Sequence, residues 1–210
     1  MEQGEIAIGL DIGTTKIVTI VGRKNEFDKI EILGFGKAKS LGVQRGVVSN
    51  ITQTIDSIKH AIADAEADSG ATIDNCVVGI AGQHIRSLQH SDYILRENAQ
   101  EVITQADVDL LVQNVHKLVM LPGEEIIHVL PQEFKIDGEP NISEPIGMLG
   151  RRLEANLHIV VGQKAAIGNI FSCVKNSNLE VSGITLEPLA SAEAVLSDEE
   201  REAGVCLVDI

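Results

Sequence analysis

The sequence predicts an α/β fold in which helices cover a parallel or mixed sheet and a small α+β module is inserted. Strand-like apolar runs alternate with helical periodicities at both ends of the chain. Between about residues 84 and 160 the strands become alternating and polar. With 44% hydrophobic residues among 210, the chain has enough material for a sizeable core.

The first part of the chain predicts four strands and one helix. The strand candidates share β-branched and aliphatic runs and cover residues 6–10, 16–21, 30–38 and 76–82. Apolar residues at spacings of three and four predict a helix over about 51–68. Ser49 or Asn50 is the expected N-cap, and Gly70 lies where such a helix ends.

The middle of the chain predicts one strong helix among extended stretches. Thr104 begins the helix, Asp107 provides an aspartate variant of the capping box, and apolar residues through Val119 share one face. The extended stretches at 125–137 and 152–162 flank a connection rich in glycine and proline.

The last part of the chain returns to the pattern of the first. It predicts a helix through Ile167 and Val174, a strand over 179–186, a short helix after Pro188 and a strand over 204–210. Because a strand normally leads into a turn, an end within an apolar run leads us to expect a fragment of a longer protein.

Charge and composition exclude several classes of function. The net charge of −14, with no basic cluster beyond Arg151 and Arg152, argues against nucleic acid or an anionic bilayer as a direct partner. No apolar stretch approaches the roughly 20 residues of a membrane helix, and the N-terminus is not a signal peptide. The expected location is the cytoplasm.

The cysteines and histidines do not form a recognisable metal or disulfide pattern. Cys76, Cys173 and Cys206 lie in apolar segments without CxxC spacing, so we expect reduced residues in the core. The six histidines include no HExxH pair, and we expect no metal site built from them.

The turn between the first two strands has the composition of an anion site. Gly13 permits a tight turn whose backbone amides converge, Thr14 and Thr15 add hydroxyl donors, and Lys16 adds a positive charge. Asp11 ends the first strand, where a carboxylate is placed to hold water around Mg²⁺. The alternative is an ordinary hairpin turn with a protective lysine at a strand edge.

Several strings in this order resemble one protein family. "IGLDIGTTKI" resembles the first phosphate loop of the actin, Hsp70 and sugar-kinase superfamily, and "GVCLVDI" resembles the strand before the second loop. "LEPLASAEAVL" resembles the connecting helix of that fold. "GVQRGVVSN", "HVLPQEFKIDG" and "EPIGMLGRRLEANLHIV" narrow the resemblance to the bacterial FtsA cell-division family.

The resemblance implies a specific architecture. It implies an actin-like (ribonuclease H-like) subdomain 1A with a mixed five-stranded sheet, into which a small α+β subdomain 1C of the SHS2 type is inserted. The implied boundaries are 1–83 for the first part of 1A, 84–162 for 1C and 163–210 for the second part of 1A, truncated at the second phosphate loop.

The resemblance also implies a function. Members of the family bind ATP, polymerise into filaments at the inner face of the cell membrane at the division site, tether the FtsZ ring and recruit later division proteins, partly through 1C. The resemblance implies that the FtsZ-binding subdomain and the C-terminal membrane helix of the family would lie outside these 210 residues. The alternatives are a pilus-assembly actin homologue of the PilM type and a sugar or acetate kinase-like phosphotransferase.

Family roles transfer to particular residues. Asp11 would organise Mg²⁺, and Gly13, Thr14, Thr15 and Lys16 would hold the β- and γ-phosphates of ATP. Glu187 matches an acidic position near the metal and the attacking water, although it also fits a solvated charge at a helix N-terminus. Asp209 would open the second phosphate loop.

Two further expectations concern activity and partners. Because half of the ATP site would be absent and the rest open to water, we expect weak or undetectable ATP binding and no enzymatic activity from these residues. The whole protein would be at most a weak ATPase. Arg151 and Arg152, with the strands "HVLPQEFKI" and "LEANLHIVV" as possible edges, are the expected contact surface of 1C, unless the arginines are ordinary surface charges.

Overall fold

A computed structural model describes residues 6–27 and 29–208 of the chain. The strands are β1 (Ile6–Ile12), β2 (Lys16–Lys24), β3 (Ile30–Lys39), β4 (Val43–Gln44), β5 (Val47–Val48), β6 (Asn75–Ile80), β7 (Ile85–Leu95), β8 (Glu124–Ile136), β9 (Glu139–Ile142), β10 (Arg152–Gln163) and β11 (Glu180–Leu186). The helices are α1 (Ile51–Ser69), α2 (Gln105–Val115), α3 (Lys164–Lys175), α4 (Glu187–Val195) and α5 (Asp198–Ala203).

The chain folds into two compact units. The first unit combines residues up to 84 with residues from 165 onward, and the second covers 85–164. Each unit has its own sheet: five strands in the order β11-β6-β1-β2-β3 in the first, and four in the order β7-β10-β8-β9 in the second. A third, two-stranded sheet pairs β4 with β5.

The five-stranded sheet confirms the predicted mixed α/β architecture. β2 pairs antiparallel with both β1 and β3, whereas β6 pairs parallel with both β1 and β11. The carboxyl ends of β1, β6 and β11 therefore lie along the same edge of the sheet. The segments that follow these three strands begin side by side at that edge.

Helix α1 begins and ends at residues with capping roles. The Asn50 side chain accepts a hydrogen bond from the Gln53 amide at 3.1 Å. Gly70 adopts a left-handed conformation with φ of 70° and donates its amide to Glu66 O. An N-terminal asparagine and a left-handed C-terminal glycine satisfy backbone groups that the helix leaves open. Both signals are local, and both confirm the predicted bounds.

Helix α1 lies against β3 at two glycines. A Cβ on Gly34 would lie 2.8 Å from Ala65 O, and one on Gly36 would overlap Ala61 O and lie 2.6 Å from Ala65 N. The helix backbone therefore approaches the strand more closely than any side chain would allow. Ile58, Ala61 and Ala65 of α1 are buried on this face.

Two cysteines are core residues, as the sequence predicts, and the third is not. Cys76 in β6 and Cys173 in α3 are both buried. Burial raises the pKa of Cys76 to about 11 and also raises that of Cys173, so both thiols stay protonated. Cys206 is exposed, because the segment around it does not pack into the core.

Two sequence predictions of secondary structure are wrong. Residues 205–208 form no strand in the described chain, since a strand needs a hydrogen-bonded neighbour and none pairs with them there. The predicted helix through Val119 ends at Val115. His116, Lys117 and Leu118 make turn-type hydrogen bonds instead, and Val119 is 96% exposed.

The second unit is an antiparallel sheet packed against α2. The interior strand β10 pairs over its length with β7 on one side and β8 on the other. The core shared by the sheet and the helix is continuous and contains Ile94, Ile103, Val108, Leu111, Val115, Phe134, Ile136, Leu153, Ala155, Leu157, Ile159 and Val161. Asp107 accepts a hydrogen bond from the Thr104 amide at 2.8 Å, which confirms its predicted capping role.

A buried arginine joins three segments of the second unit. The Arg96 side chain is 7% exposed and lies 3.3 Å from the Asp107 carboxylate. Its two terminal nitrogens donate to the carbonyls of Glu101, Val102 and Gly150 at 2.7–2.9 Å. One guanidinium thus connects the end of β7, the approach to α2 and the approach to β10.

No helix in the described part of the chain is long and apolar enough to span a bilayer.

Replacing Gly36 with alanine tests the close approach of α1 to β3. We expect the variant to lose about 2 kcal/mol or more of unfolding free energy, because the added methyl group overlaps helix backbone that cannot rotate away. Urea unfolding followed by circular dichroism measures the loss.

Gly168→Ala is the matched control. Gly168 lies in α3 with open space where its Cβ would go, so alanine there should raise stability by about 0.5–1 kcal/mol. Equal unfolding midpoints for Gly36→Ala and the wild type would contradict the close-packing account.

Candidate functional site

A cavity of about 300 Å³ lies in the first unit, at the edge where its parallel strands end. The segments after β1, β6 and β11 all contribute to its wall, together with the turn between β4 and β5. The lining residues are Ile12, Gly13, Thr14, Arg45, Gly46, Ala81, Gly82, Gln83 and Glu187. Ligands of open α/β sheets bind at this position, outside the carboxyl ends of parallel strands.

The turn between β1 and β2 brings backbone groups close together at Gly13. A Cβ on Gly13 would lie 3.0 Å from Lys16 O, which is closer than side-chain contacts normally come. The same position is 3.9 Å from the Asp11 carboxylate oxygen Oδ1, so Asp11 lies beside the turn. Gly13 and Thr14 line the cavity, and the Asp11 carboxylate is adjacent to it.

Glu187 reaches the same place from another strand. It begins helix α4 directly after β11, with Pro188 in the first helical turn. Its Cγ passes 3.4 Å from where a Cβ on Gly79 would lie, and the Cα of Asp11 is 3.9 Å from that point. Because Gly79 has no side chain, the Glu187 side chain can extend across β6 toward β1.

The structure does not bring all of the predicted site residues to the cavity. Thr15 and Lys16 are exposed, and neither is among the described residues that line it. Thr15 O accepts a hydrogen bond from the Ser40 amide at 3.1 Å, and Lys16 opens β2 opposite Lys39. Asp209 lies outside the described residues. The roles of Asp11, Gly13, Thr14, Thr15, Lys16, Glu187 and Asp209 remain predictions.

The turn between β4 and β5 forms a part of the cavity wall that was not among the predicted site residues. Arg45 and Gly46 form this turn and have φ values of 51° and 76°. Gly46 packs against the segment after β6, where a Cβ on it would overlap Ala81 O and lie 2.9 Å from Gly82 Cα. The available signal was local: a two-residue Arg-Gly turn between short valine-containing strands predicts a hairpin.

Arg151 and Arg152 lie in the second unit at the start of β10. The amides of both donate to the Asp137 carboxylate at 2.8–3.1 Å, and these hydrogen bonds lower the pKa of Asp137. The Arg152 guanidinium stacks 4.1 Å from the centre of the Tyr93 ring and pairs with Glu154 at 2.9 Å. Part of the predicted contact surface is therefore already engaged within the unit.

The predicted edge strand "LEANLHIVV" is wrong. It belongs to β10, which pairs with β7 and β8 on its two sides and has no free edge. "HVLPQEFKI" belongs to β8, which pairs with β9 only at Phe134 and Ile136. Of the two strands, only β8 has unpaired length along one side.

The cavity has the chemistry of an anion site beside carboxylates. Backbone amides at a glycine turn and a guanidinium favour a phosphate or carboxylate ligand. Two nearby carboxylates, Asp11 and Glu187, suit a hydrated divalent cation, since Mg²⁺ is commonly held by one or two carboxylates together with phosphate oxygens and water. This composition fits a magnesium-bound phosphate ester.

Comparison with known proteins finds that this chain is similar to cell-division proteins. A family model described as "SHS2 domain inserted in FTSA" matches residues 82–161. The cell division protein FtsA of Pseudomonas aeruginosa is 40% identical over 100% of the chain, and FtsA of Neisseria meningitidis is 38% identical over 100%. FtsA of Bacillus subtilis is 33% identical over 100% of the chain.

The chain matches the N-terminal half of FtsA. It spans about half the length of these curated relatives, 50%, 50% and 48% respectively. The family-model match at 82–161 coincides with the second unit of the structure, which is therefore an SHS2 domain of the FtsA type. The resemblance predicted from the sequence strings is confirmed.

A solved structure supports the fold independently of sequence. The chain aligns with a structure titled "PilM-PilN type IV pilus biogenesis complex" at a TM-score of 0.57 and 12% identity, covering 89% of this chain and 49% of that one. At this identity the similarity concerns the fold alone. Together with the SHS2 match it confirms the predicted actin-like architecture with an inserted α+β subdomain.

A buried histidine follows the cavity-lining residue Gln83. His84 is 4% exposed, and neither of its ring nitrogens has a hydrogen-bond partner among the described residues. Burial lowers its pKa below the ordinary value of 6.5. The folded state therefore binds a proton at His84 less readily than the unfolded state does.

The sign of the pH dependence follows from this pKa. The contribution of neutral His84 to the unfolding free energy should be fully present above pH 6.5. It should be lost as the pH falls from 6.5 toward the lower pKa that His84 has in the folded state, by at most about 1.4 kcal/mol per pH unit. We expect His84→Phe, which has no proton to bind, to lose less stability on acidification. Urea midpoints on either side of pH 6.5 test this.

His60→Gln is the control for the pH series. His60 is exposed on α1, so its replacement should leave the acid sensitivity of the wild type in place. Parallel pH curves for His84→Phe and the wild type would refute the assignment.

Proposed function

We propose that this chain is the N-terminal part of an actin-like cell-division protein that binds ATP and Mg²⁺. In the whole protein we place it in filaments at the inner face of the cell membrane at the division site. There it would tether the FtsZ ring and recruit later division proteins. The observation that carries the proposal is 38–40% identity to FtsA over the whole chain.

The cavity supports the nucleotide part of the proposal. Gly13 and Thr14, which line the cavity, would hold the β- and γ-phosphates through backbone amides and a hydroxyl. The same role for Thr15 and Lys16 would require their exposed side chains to reach the phosphates from outside this wall. Asp11 and Glu187 would orient the water shell of Mg²⁺, which supplies charge neutralisation to the phosphates when bound. Glu187, which lines the cavity, would also position a water molecule for weak ATP hydrolysis by the whole protein.

The rest of the nucleotide site would be supplied by residues of the whole protein that are not part of these 210. We infer that Asp209 leads into a second phosphate loop and that ATP is held between the two halves. The FtsZ contact and the membrane anchor would also come from outside these residues. The chain itself would contribute the first phosphate loop in subdomain 1A and the partner surface in subdomain 1C, with boundaries at 1–83, 84–162 and 163–210.

A PilM-type pilus protein is the second candidate. The fold similarity to the PilM chain supports it, but at 12% identity this concerns architecture only. The identity to FtsA from several organisms favours the cell-division function. A phosphotransferase of the sugar- or acetate-kinase type receives no support from the relatives reported above.

Calorimetric titration with Mg·ATP tests the nucleotide proposal. We expect the whole protein to bind the nucleotide and these 210 residues to bind weakly or undetectably, because the half-site is open to water. Asp11→Asn in the whole protein should weaken Mg·ATP binding by roughly tenfold or more, through loss of a charged metal partner. Glu154→Gln, which removes a carboxylate in the other unit, is the control.

Micromolar Mg·ATP affinity for the 210-residue chain would contradict the account of an open half-site. Wild-type affinity in the Asp11→Asn variant would contradict the proposed role of Asp11 in holding Mg²⁺.

Reversing both charges of Arg151 and Arg152 tests the 1C surface in the whole protein. We expect Arg151→Glu with Arg152→Glu to reduce filament formation and recruitment of later division proteins, since an acidic pair would replace the basic pair of the proposed contact surface. Sedimentation and bacterial co-localisation measure the two effects. The matched control is Arg86→Glu with Lys135→Glu, which reverses two charges elsewhere in the same unit. If the Arg151 and Arg152 variant keeps wild-type polymerisation and recruitment, the contact surface lies elsewhere.

A further inference from the structure

We infer that Arg45 is a phosphate-binding residue of this site, facing the anion together with the Gly13 turn. The inference rests on the proposed function, because it deepens the same cavity. It assigns the site a guanidinium from the turn between β4 and β5, a segment distant from the first phosphate loop in sequence. The ligand chemistry it requires is an oligophosphate, as in a nucleoside triphosphate.

Arg45 forms part of the cavity wall. Arg45 is the one basic residue among the described residues that line the cavity, and Gly13, Thr14 and Glu187 are part of the same wall. Within the described part of the chain, no ion pair or hydrogen bond engages its guanidinium. The group is exposed and available to a ligand.

Arg45 has a left-handed backbone conformation, which is unfavourable for a long side chain. Its φ of 51° and the φ of 76° at Gly46 are those of a two-residue hairpin turn with both residues left-handed. Such turns favour asparagine or glycine at the first position, and a long side chain there costs about 1 kcal/mol. Strained residues of this kind cluster at ligand sites, where the side chain contributes something that the preferred residue would not.

The turn that carries Arg45 is closely packed. A Cβ on Gly82 would lie 2.9 Å from Gly46 Cα, and one on Gly46 would overlap Ala81 O. The Arg45–Gly46 turn is therefore seated directly on the segment that follows β6. This contact fixes the Arg45 backbone relative to the cavity before any ligand arrives, which reduces the entropy lost on binding.

The negative charge of the chain and of the cavity also favours a cationic ligand-binding residue. The chain carries a net charge of −14, and the carboxylates of Glu187 and Asp11 lie at or beside the cavity. A polyphosphate needs a nearby cation to enter this field. Arginine meets the need well, because its planar fork donates two parallel hydrogen bonds to phosphate oxygens.

The test uses the ¹⁵N-labelled 210-residue chain titrated with sodium tripolyphosphate, a probe that requires no adenosine pocket. Amide signals of Gly13 and Thr14 should shift, and the titration gives an affinity even where binding is too weak for calorimetry. We expect Arg45→Asn to weaken this affinity roughly three- to tenfold, the range for losing one charged hydrogen-bonding partner at a solvated site. Lys59→Gln removes an exposed charge on α1 and should leave the affinity unchanged.

Unfolding separates binding from a merely structural role. Asparagine suits the left-handed position better than arginine, so the urea midpoint of Arg45→Asn should equal or exceed that of the wild type. Weaker binding together with equal or higher stability supports the inference. Weaker binding together with a lower midpoint would overturn it, because the arginine would then act by holding the turn.

The remaining outcomes distinguish the inference from the proposed function. If Gly13 and Thr14 signals shift in the wild type and Arg45→Asn binds equally well, the inference is overturned and the phosphate loop stands. If these signals do not shift in the wild type, the proposed phosphate site fails and Arg45 loses its role with it. An equal loss of affinity in Lys59→Gln would also overturn the inference, since the effect would be one of overall charge.

Discussion

The parallel pairing of β6 with both β1 and β11 is the constraint on which the candidate site depends. Parallel strands end at the same edge of a sheet. Three segments therefore lie together at this edge: the turn after Ile12, the segment after Ile80 and the start of α4 at Glu187. Strand β11 returns from beyond the inserted unit, more than 90 residues after β6 in sequence. The sheet thus brings a glycine turn and an acidic helix start together from opposite ends of the chain.

This arrangement also explains why an acidic protein can present an anion site. Charges separated by more than about 10 Å are largely screened in physiological salt, so the groups nearest the ligand decide the local field. Backbone amides at Gly13 carry partial positive charge whatever the composition of the rest of the surface. The carboxylates of Asp11 and Glu187 then favour a ligand that arrives with a divalent cation, rather than a bare anion.

The parts of the fold that the sequence predicts are those with local causes. Asn50 and Gly70 bound α1 through contacts within a few residues, and Gly13 marks its turn by composition. Predictions fail where the cause lies elsewhere in space. Val205, Leu207 and Val208 have strand-like composition but no paired strand in the described chain. Arg45 and Gly13 line one cavity because the fold brings their two loops to the same edge of the sheet. The sequence around Arg45 predicts a hairpin but not its place in that cavity wall.

Conformational strain at Arg45 occurs together with close packing of the neighbouring glycines, Gly46 and Gly82. A left-handed arginine persists only where the surroundings leave no alternative, and the contact of Gly46 with Ala81 and Gly82 supplies that restriction. The same contact would be impossible with a side chain at either glycine, so the strain and the glycines depend on each other. A hairpin needed only to reverse the chain would be more stable with asparagine at this position. The cavity-facing charge is the one property of this turn that arginine provides and asparagine does not.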